Sequence, residues 1–150
     1  MDEIRDEPLY RDRVCGIDIG KAAMVATIRV PADADPARRM AETRTFATTK
    51  RGVLELADWC RCWQVPAVVM EATGDYWKGP FYRLEAEGFE CVLADPRQVK
   101  NLPGRPKLDP SDSRWLAACF ERGAITPCFV ATPEFRIIRL HTRYRRELTE

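Results

Sequence analysis

Four acidic residues in this sequence have the type and placement expected of ligands for a divalent metal ion. Each stands near the end of a segment that favours a strand or a helix, and they are Asp18, Glu71, Asp109 and Asp112. Carboxylate oxygens are preferred ligands of Mg2+ and Mn2+. Phosphoryl-transfer enzymes gather such groups around two ions about 4 Å apart, which contact the attacking and leaving oxygens. The four residues therefore predict a carboxylate site for divalent metal ions, with phosphoryl transfer as its chemistry.

Asp18 and Glu71 belong to apolar segments, where a charge is costly. Asp18 lies between Ile17 and Ile19, and burying an unpaired carboxylate there would cost several kcal/mol. A metal ion or a cationic partner is therefore expected beside it. Glu71 follows the apolar run Ala67–Met70, and the same argument applies in weaker form because strand ends are often exposed.

Asp109 and Asp112 fit a structural role as well as a catalytic one. They are three residues apart at a helix start and project from the same turn, so one ion can contact both. However, Asp109 before Pro110 is also typical of a helix N-cap, and an acid at the position of Asp112 suits the helix dipole. Alone this pair favours capping; together with Asp18 and Glu71 it favours a metal site.

The first half of the sequence predicts three antiparallel strands followed by a helix. Gly20-Lys21 separates the first two β-rich runs and predicts a hairpin. Thr49 is a candidate N-cap for a helix from Lys50 to about Trp63. The strands predicted from composition and alternation are Arg13–Ile19, Ala22–Val30 and the shorter Thr43–Thr48.

The middle of the sequence predicts two parallel strands joined by a helix. The apolar run Ala67–Met70 is typical of a strand buried on both faces, and it leads directly into Glu71. A helix from about Tyr76 to Glu87 follows, and Phe89–Ala94 is the next strand. The order strand, helix, strand is that of a right-handed crossover, the connection that joins two parallel strands. The sequence thus predicts an α/β domain with a mixed sheet flanked by helices.

A basic segment connects these strands to Asp109 and Asp112. The segment Pro96–Lys107 is rich in proline and is predicted as a loop. A basic loop beside an acidic metal site is where a nucleic-acid backbone would be held. The predicted phosphate contacts are Arg97, Lys100, Arg105 and Lys107.

Composition excludes several classes of protein. The net charge is only +1, so any nucleic-acid site depends on local charge and not on the overall balance. The six cysteines have no paired CxxC spacing and there is one histidine, which argues against a structural zinc site. No apolar run approaches the ~18 residues that a membrane span needs. We expect reduced thiols, with disulfides as the alternative, a cytoplasmic location and no membrane partner.

Three regions are expected along the chain. Residues 1–12 form an acidic tail, residues 13–130 the α/β domain, and residues 131–150 the start of an arginine-rich helix. That helix begins at Pro133 and has no C-terminal cap before Glu150. We therefore expect it to lead into a C-terminal region that is missing here.

Several segments resemble the DEDD-type transposases of bacterial insertion sequences, whose relatives include the pilin-gene-inverting recombinases. The likeness runs from about Val14 to Ala118, and Glu-Ala-Thr-Gly-x-Tyr-Trp with a downstream Asp-x-x-Asp is its specific part. Two positions depart from the usual pattern: Leu108 replaces a threonine and Ser113 an alanine. The matching segments are Gly16–Lys21, Met70–Trp77, Asp95–Lys100 and Lys107–Asp112.

This resemblance implies more than the residues do by themselves. It implies an RNase H-like fold similar to Holliday-junction resolvases of the RuvC type, with a Mg2+ site formed by Asp18, Glu71, Asp109 and Asp112. It implies DNA as substrate, a structured guide (bridge) RNA as partner and a homo-oligomer for the full-length protein. The family's serine nucleophile lies in a C-terminal domain, so we expect this chain alone not to recombine DNA.

Two alternatives remain open at the level of sequence. A sugar-kinase or actin-like ATPase fragment shares the RNase H-like core and an opening Asp-x-Gly, but it needs a second phosphate loop and gives Asp109 and Asp112 no role. A non-catalytic nucleic-acid-binding module from a truncated transposase is the other alternative. Titration with magnesium distinguishes the latter from a nuclease-like domain.

Overall fold

The computed structural model describes residues 11–105 and 112–149. The predicted site residues Lys107 and Asp109 lie outside these ranges, as does most of the predicted acidic tail.

A five-stranded mixed sheet in the order β3-β2-β1-β4-β5 forms the centre of the fold. The first three strands are antiparallel, and β4 and β5 run parallel to β1. The predicted arrangement, three antiparallel strands followed by two parallel ones, is therefore confirmed. The strands are β1 (Val14–Ile19), β2 (Ala23–Pro31), β3 (Arg39–Ala47), β4 (Ala67–Glu71) and β5 (Glu90–Ala94).

Helices follow the third, fourth and fifth strands. Thr49 caps the first of them as predicted, because its side-chain oxygen accepts a hydrogen bond from the backbone N–H of Gly52 at 3.0 Å. No helix in the described ranges is long and apolar enough to cross a membrane. The helices are α1 (Lys50–Cys62), α2 (Lys78–Ala86), α3 (Pro96–Asn101), α4 (Asp112–Glu121) and α5 (Pro133–Thr149).

The prediction of a loop over Pro96–Lys107 was wrong for its first half. Residues Pro96–Asn101 form α3, whose N-cap is Asp95. The Asp95 carboxylate accepts a hydrogen bond from the Arg97 N–H at 3.0 Å, and Pro96 occupies the first helical turn, where it sacrifices no helical hydrogen bond. The Asp-Pro pair is thus a helix start.

Two element boundaries also differ from the prediction. β3 begins at Arg39 and not at Thr43, because its ladder with β2 continues as far as the pair Pro31 and Arg39. α2 begins at Lys78 and not near Tyr76, because residues 74–77 form a turn.

The two faces of the sheet are covered by different helices. α1 and α2 pack on the face that includes Cys15, Ile17 and Met70. α4 packs on the opposite face, against Val14 and Val69. Successive residues of a strand face opposite sides of the sheet, so positions 16, 18 and 71 also face the side that α4 covers.

Candidate functional site

The pairing of β1 with β4 brings Asp18 and Glu71 together. These strands are parallel, and their register pairs Ile17 with Met70. Asp18 and Glu71 are the next residues on each strand, and neighbouring strands are about 4.8 Å apart. Both side chains belong to the α4 face, so the two acids, distant in sequence, are neighbours at the ends of β1 and β4.

The electrostatics of both acids reflect this neighbourhood. Burial raises the pKa of Asp18, and the negative charge of Asp112 raises it further. Burial also raises the pKa of Glu71, and the charges of Asp112 and Asp18 add to the effect, whereas Arg105 and Lys100 oppose it. Like charges held close together disfavour ionisation. The three carboxyl groups therefore repel each other, and the nearby cations Arg105 and Lys100 offset part of this repulsion at Glu71.

Asp112 stands at the beginning of α4 and is paired with a cation. Its Oδ1 atom accepts a hydrogen bond from Arg105 at 2.9 Å, and 55% of its side chain is exposed. The Arg105 guanidinium also lies 6.0 Å from the centre of the Trp115 ring. Within residues 11–105 and 112–149, no three acid, histidine or cysteine side chains are arranged to hold a metal ion. The carboxylates of Asp18, Glu71 and Asp112 offer the oxygen donors that Mg2+ prefers. They are only three of the four predicted ligands, because Asp109 lies outside the described residues.

Close packing against Gly16 sets the distance between α4 and β1. A Cβ atom at Gly16 would stand 2.5 Å from the Ser113 carbonyl oxygen and 2.6 Å from the Ala117 nitrogen. Because these are backbone atoms, no side-chain rotation would relieve the clash, and α4 would have to move. Sequence reasoning did not identify this role of Gly16, although a glycine inside a strand is a known sign of close backbone approach.

The predicted basic residues have different surroundings. Arg97 and Lys100 on α3 are exposed. Lys100 and Arg105 lie close enough to Glu71 to lower its pKa, whereas Arg105 is also paired with Asp112. Lys107 lies outside the described residues. Among the predicted basic residues that the structure describes, Lys100 and Arg105 are therefore the two that act on Glu71, and their contact with phosphate stays a prediction.

The arginine-rich helix α5 is attached to the domain through its first turn. Arg136 donates a hydrogen bond to Glu85 at 2.6 Å, and its guanidinium lies 4.0 Å from the centre of the Tyr82 ring. These contacts give Arg136 a structural role in joining α5 to α2.

Comparison with known proteins adds a family and a fold. The sequence profile of the transposase family DEDD_Tnp_IS110 matches residues 15–150. No curated protein matches the chain.

Among solved structures, RuvC from T. thermophilus in complex with a Holliday junction superimposes with a TM-score of 0.54 at 14% identity, covering 79% of this chain and 100% of that chain. A second Thermus thermophilus RuvC structure gives a TM-score of 0.47 at 13% identity, covering 79% and 85% of the two chains. A Fowlpox virus resolvase bound to Holliday junction DNA gives 0.43 at 14% identity, covering 63% and 65%. The first of these carries the conclusion that the fold is RuvC-like, that is, RNase H-like.

Proposed function

Because this chain belongs to the IS110-type family of DEDD transposases, we propose that it is the metal-binding, nuclease-like part of a DNA transposase. In this proposal it acts through phosphoryl transfer that depends on Mg2+ or Mn2+. The observation that carries the proposal is the position of Asp18 and Glu71 on neighbouring strands, on the face covered by α4 and within electrostatic reach of Asp112.

Asp18, Glu71, Asp109 and Asp112 would hold the metal in this mechanism. Bound Mg2+ would polarise the phosphate and lower the pKa of the attacking water. The protein's own contribution is to hold the carboxyl groups of Asp18, Glu71 and Asp112 near one another although their charges repel. Arg105 would exchange the Asp112 carboxylate for a phosphate oxygen, and Lys100 would contact the same backbone.

The partners of the full-length protein are proposed from the comparisons with known proteins and not from the geometry of the site. Family membership supports DNA transposition together with a C-terminal serine domain, a structured guide RNA and a homo-oligomer. The likeness to a junction resolvase supports branched DNA as the substrate class.

A non-catalytic nucleic-acid-binding role is the second candidate. It is favoured by the ion pair between Arg105 and Asp112, which leaves the carboxylate neutralised by the protein itself. In that case Arg105 replaces the metal permanently.

Binding of Mg2+ or Mn2+ is expected to raise the melting temperature. An ion that binds only the folded protein stabilises it by about 2.7 kcal/mol at a hundred times its dissociation constant. Thermal unfolding in increasing MgCl2 or MnCl2 measures this shift, with NaCl at matched ionic strength as the control. Equal melting temperatures in all three salts would contradict the proposal and favour the non-catalytic role.

Neutralising two cations of α3 is expected to weaken DNA binding in a salt-dependent manner. Each phosphate contact that is lost flattens the dependence of log affinity on log salt by about one unit. We expect the double variant Arg97→Gln with Lys100→Gln to flatten it by about two for a four-way junction. Fluorescence anisotropy at several KCl concentrations measures the slope.

The matched control changes two cations on α1, which packs on the face of the sheet opposite to the one covered by α3 and α4. The double variant Lys50→Gln with Arg51→Gln removes the same charge and is expected to leave the slope unchanged. Equal effects of the two double variants would show that only net charge matters.

A further inference from the structure

A chain of three hydroxyl groups, two of them on fully buried residues, connects the start of α4 to the sheet. The Ser113 Oγ atom lies 2.9 Å from the Thr27 Oγ1 atom, which lies 2.8 Å from the Thr43 Oγ1 atom. Ser113 and Thr27 are fully buried, with 0% of each residue exposed. Their hydroxyl groups are therefore shielded from solvent and form their hydrogen bonds within the protein.

A second residue of α4 contacts the same threonine pair. Arg114 donates a hydrogen bond from its Nε atom to the Thr43 Oγ1 atom at 3.2 Å. Thr27 and Thr43 face each other across β2 and β3. Two consecutive residues that directly follow Asp112 are thus hydrogen-bonded to one pair of threonines.

The hydroxyl chain and the close contact at Gly16 lie at the same position along the sheet. Thr27 is the partner of Gly16 in the β1–β2 register, and the Ser113 carbonyl is what approaches Gly16. The backbone of Ser113 therefore rests on β1 while its side chain is bonded to β2. Packing on Gly16 limits how near α4 can come, whereas directional hydrogen bonds limit how it can rotate.

We infer that Thr27 is a positioning residue for the candidate metal site. Its hydroxyl group, through Ser113, holds the first turn of α4 in the orientation that keeps Asp112 near Asp18 and Glu71. Thr27 acts through Ser113, and its importance for metal binding rests on the proposed function. Ser113 is a position where this chain departs from the pattern that it resembles, so the link is a property of this chain.

The test compares Thr27→Val, which keeps the shape but loses the hydroxyl, with Thr27→Ser, which keeps the hydroxyl. Thr45→Val is the matched control, because Thr45 is an exposed threonine on the same face of β3 as Thr43. Hydrogen exchange of the Leu116 to Ala118 amides in metal-free protein reports the order of the first turn. Calorimetric titration with MnCl2 reports the site.

Thr27→Val is expected to speed exchange of these amides about tenfold and to weaken Mn2+ binding about tenfold, as loss of a group that orients a metal ligand does. Thr27→Ser is expected to restore both values and Thr45→Val to change neither. The inference would be overturned if the amides of Thr27→Val exchanged at the wild-type rate. It would also be overturned if Thr27→Ser did not restore the wild-type rate. Should Thr27→Val not fold, Ser113→Ala removes the same link, and wild-type exchange there overturns the inference equally.

The two proposals fail in different ways. If the wild-type protein binds no Mn2+ but Thr27→Val loosens α4, the proposed function is wrong and the anchoring of α4 stands. If Mn2+ binds equally to the wild type and to Thr27→Val, the proposed function stands and Thr27 does not position the site.

Discussion

Replacing Asp18 by Asn is expected to abolish the binding of Mg2+ while leaving the metal-free protein at least as stable as the wild type. Loss of groups that merely orient metal ligands lowers affinity by 10- to 100-fold, so loss of a ligand should exceed about a hundredfold. Metal-dependent cleavage of a four-way junction should fall by at least the same factor. Calorimetry with MgCl2 and a junction-cleavage assay measure the two effects.

The stability of this variant should depend on pH in a characteristic way. The pKa of Asp18 is higher in the folded protein than in the unfolded chain, where it is near 3.8. The stability that this carboxyl group contributes is therefore fully present below pH 3.8, and it is lost as the pH rises through the pKa of the folded protein. Asp18→Asn removes that loss. Its advantage in free energy of unfolding over the wild type should therefore be largest at neutral pH and disappear in acid, as urea unfolding in metal-free buffer would show.

Asp75→Asn is the matched control for both experiments. Asp75 is an exposed acid, with 87% of its side chain accessible, and it pairs with Lys78. Replacing Asp75 by Asn should leave Mg2+ affinity unchanged. It should also give no gain in free energy of unfolding over the wild type at neutral pH. A large loss of metal-free stability in Asp18→Asn would contradict the metal site and identify Asp18 as part of a structural ion pair.

Replacing Gly16 by Ala is expected to cost about 1–3 kcal/mol of stability, the usual penalty for added volume in a packed interior. The new Cβ would meet the Ser113 carbonyl oxygen at 2.5 Å, and α4 would have to shift away from β1. Since α4 begins at Asp112, the same shift should weaken divalent-ion binding. Urea unfolding and Mn2+ calorimetry measure the two consequences.

Gly79→Ala is the control for this substitution. A Cβ at Gly79 would meet nothing within 4 Å, and the residue lies in α2. Alanine favours a helix over glycine by up to about 1 kcal/mol, so this variant should be slightly stabilised. A Gly16→Ala protein as stable as Gly79→Ala would disprove the close-packing argument.

Local patterns in the sequence determined the order and type of most elements. The N-cap Thr49 was predictable because a capping side chain acts on its own helix. The apolar run at residues 67–70 predicted a strand covered on both faces, and β4 is such a strand. The Asp95-Pro96 pair is an equally local signal for α3, but the prolines and cations that follow it favour a loop, so the prediction there was wrong.

The sequence alone also singled out the acids as candidate site residues, because Asp18 among isoleucines and Glu71 after an apolar run are costly unless they have partners. It did not determine which residues would surround them. The neighbourhood of Asp18 and Glu71 depends on the β1–β4 register, and the pairing of Asp112 with Arg105 depends on where α4 packs. Strand register is decided by which faces are buried across the whole sheet and not by either strand separately.

The anchoring of α4 was decided entirely by tertiary structure. Gly16, Thr27 and Ser113 belong to separate elements, and each taken alone is an ordinary small residue. Their roles arise because a helix pressed against a sheet excludes water, so that a missing Cβ and two buried hydroxyl groups determine how closely and in which orientation it packs. Backbone propensity reports what a segment does by itself, whereas this contact exists only when all three segments have folded together.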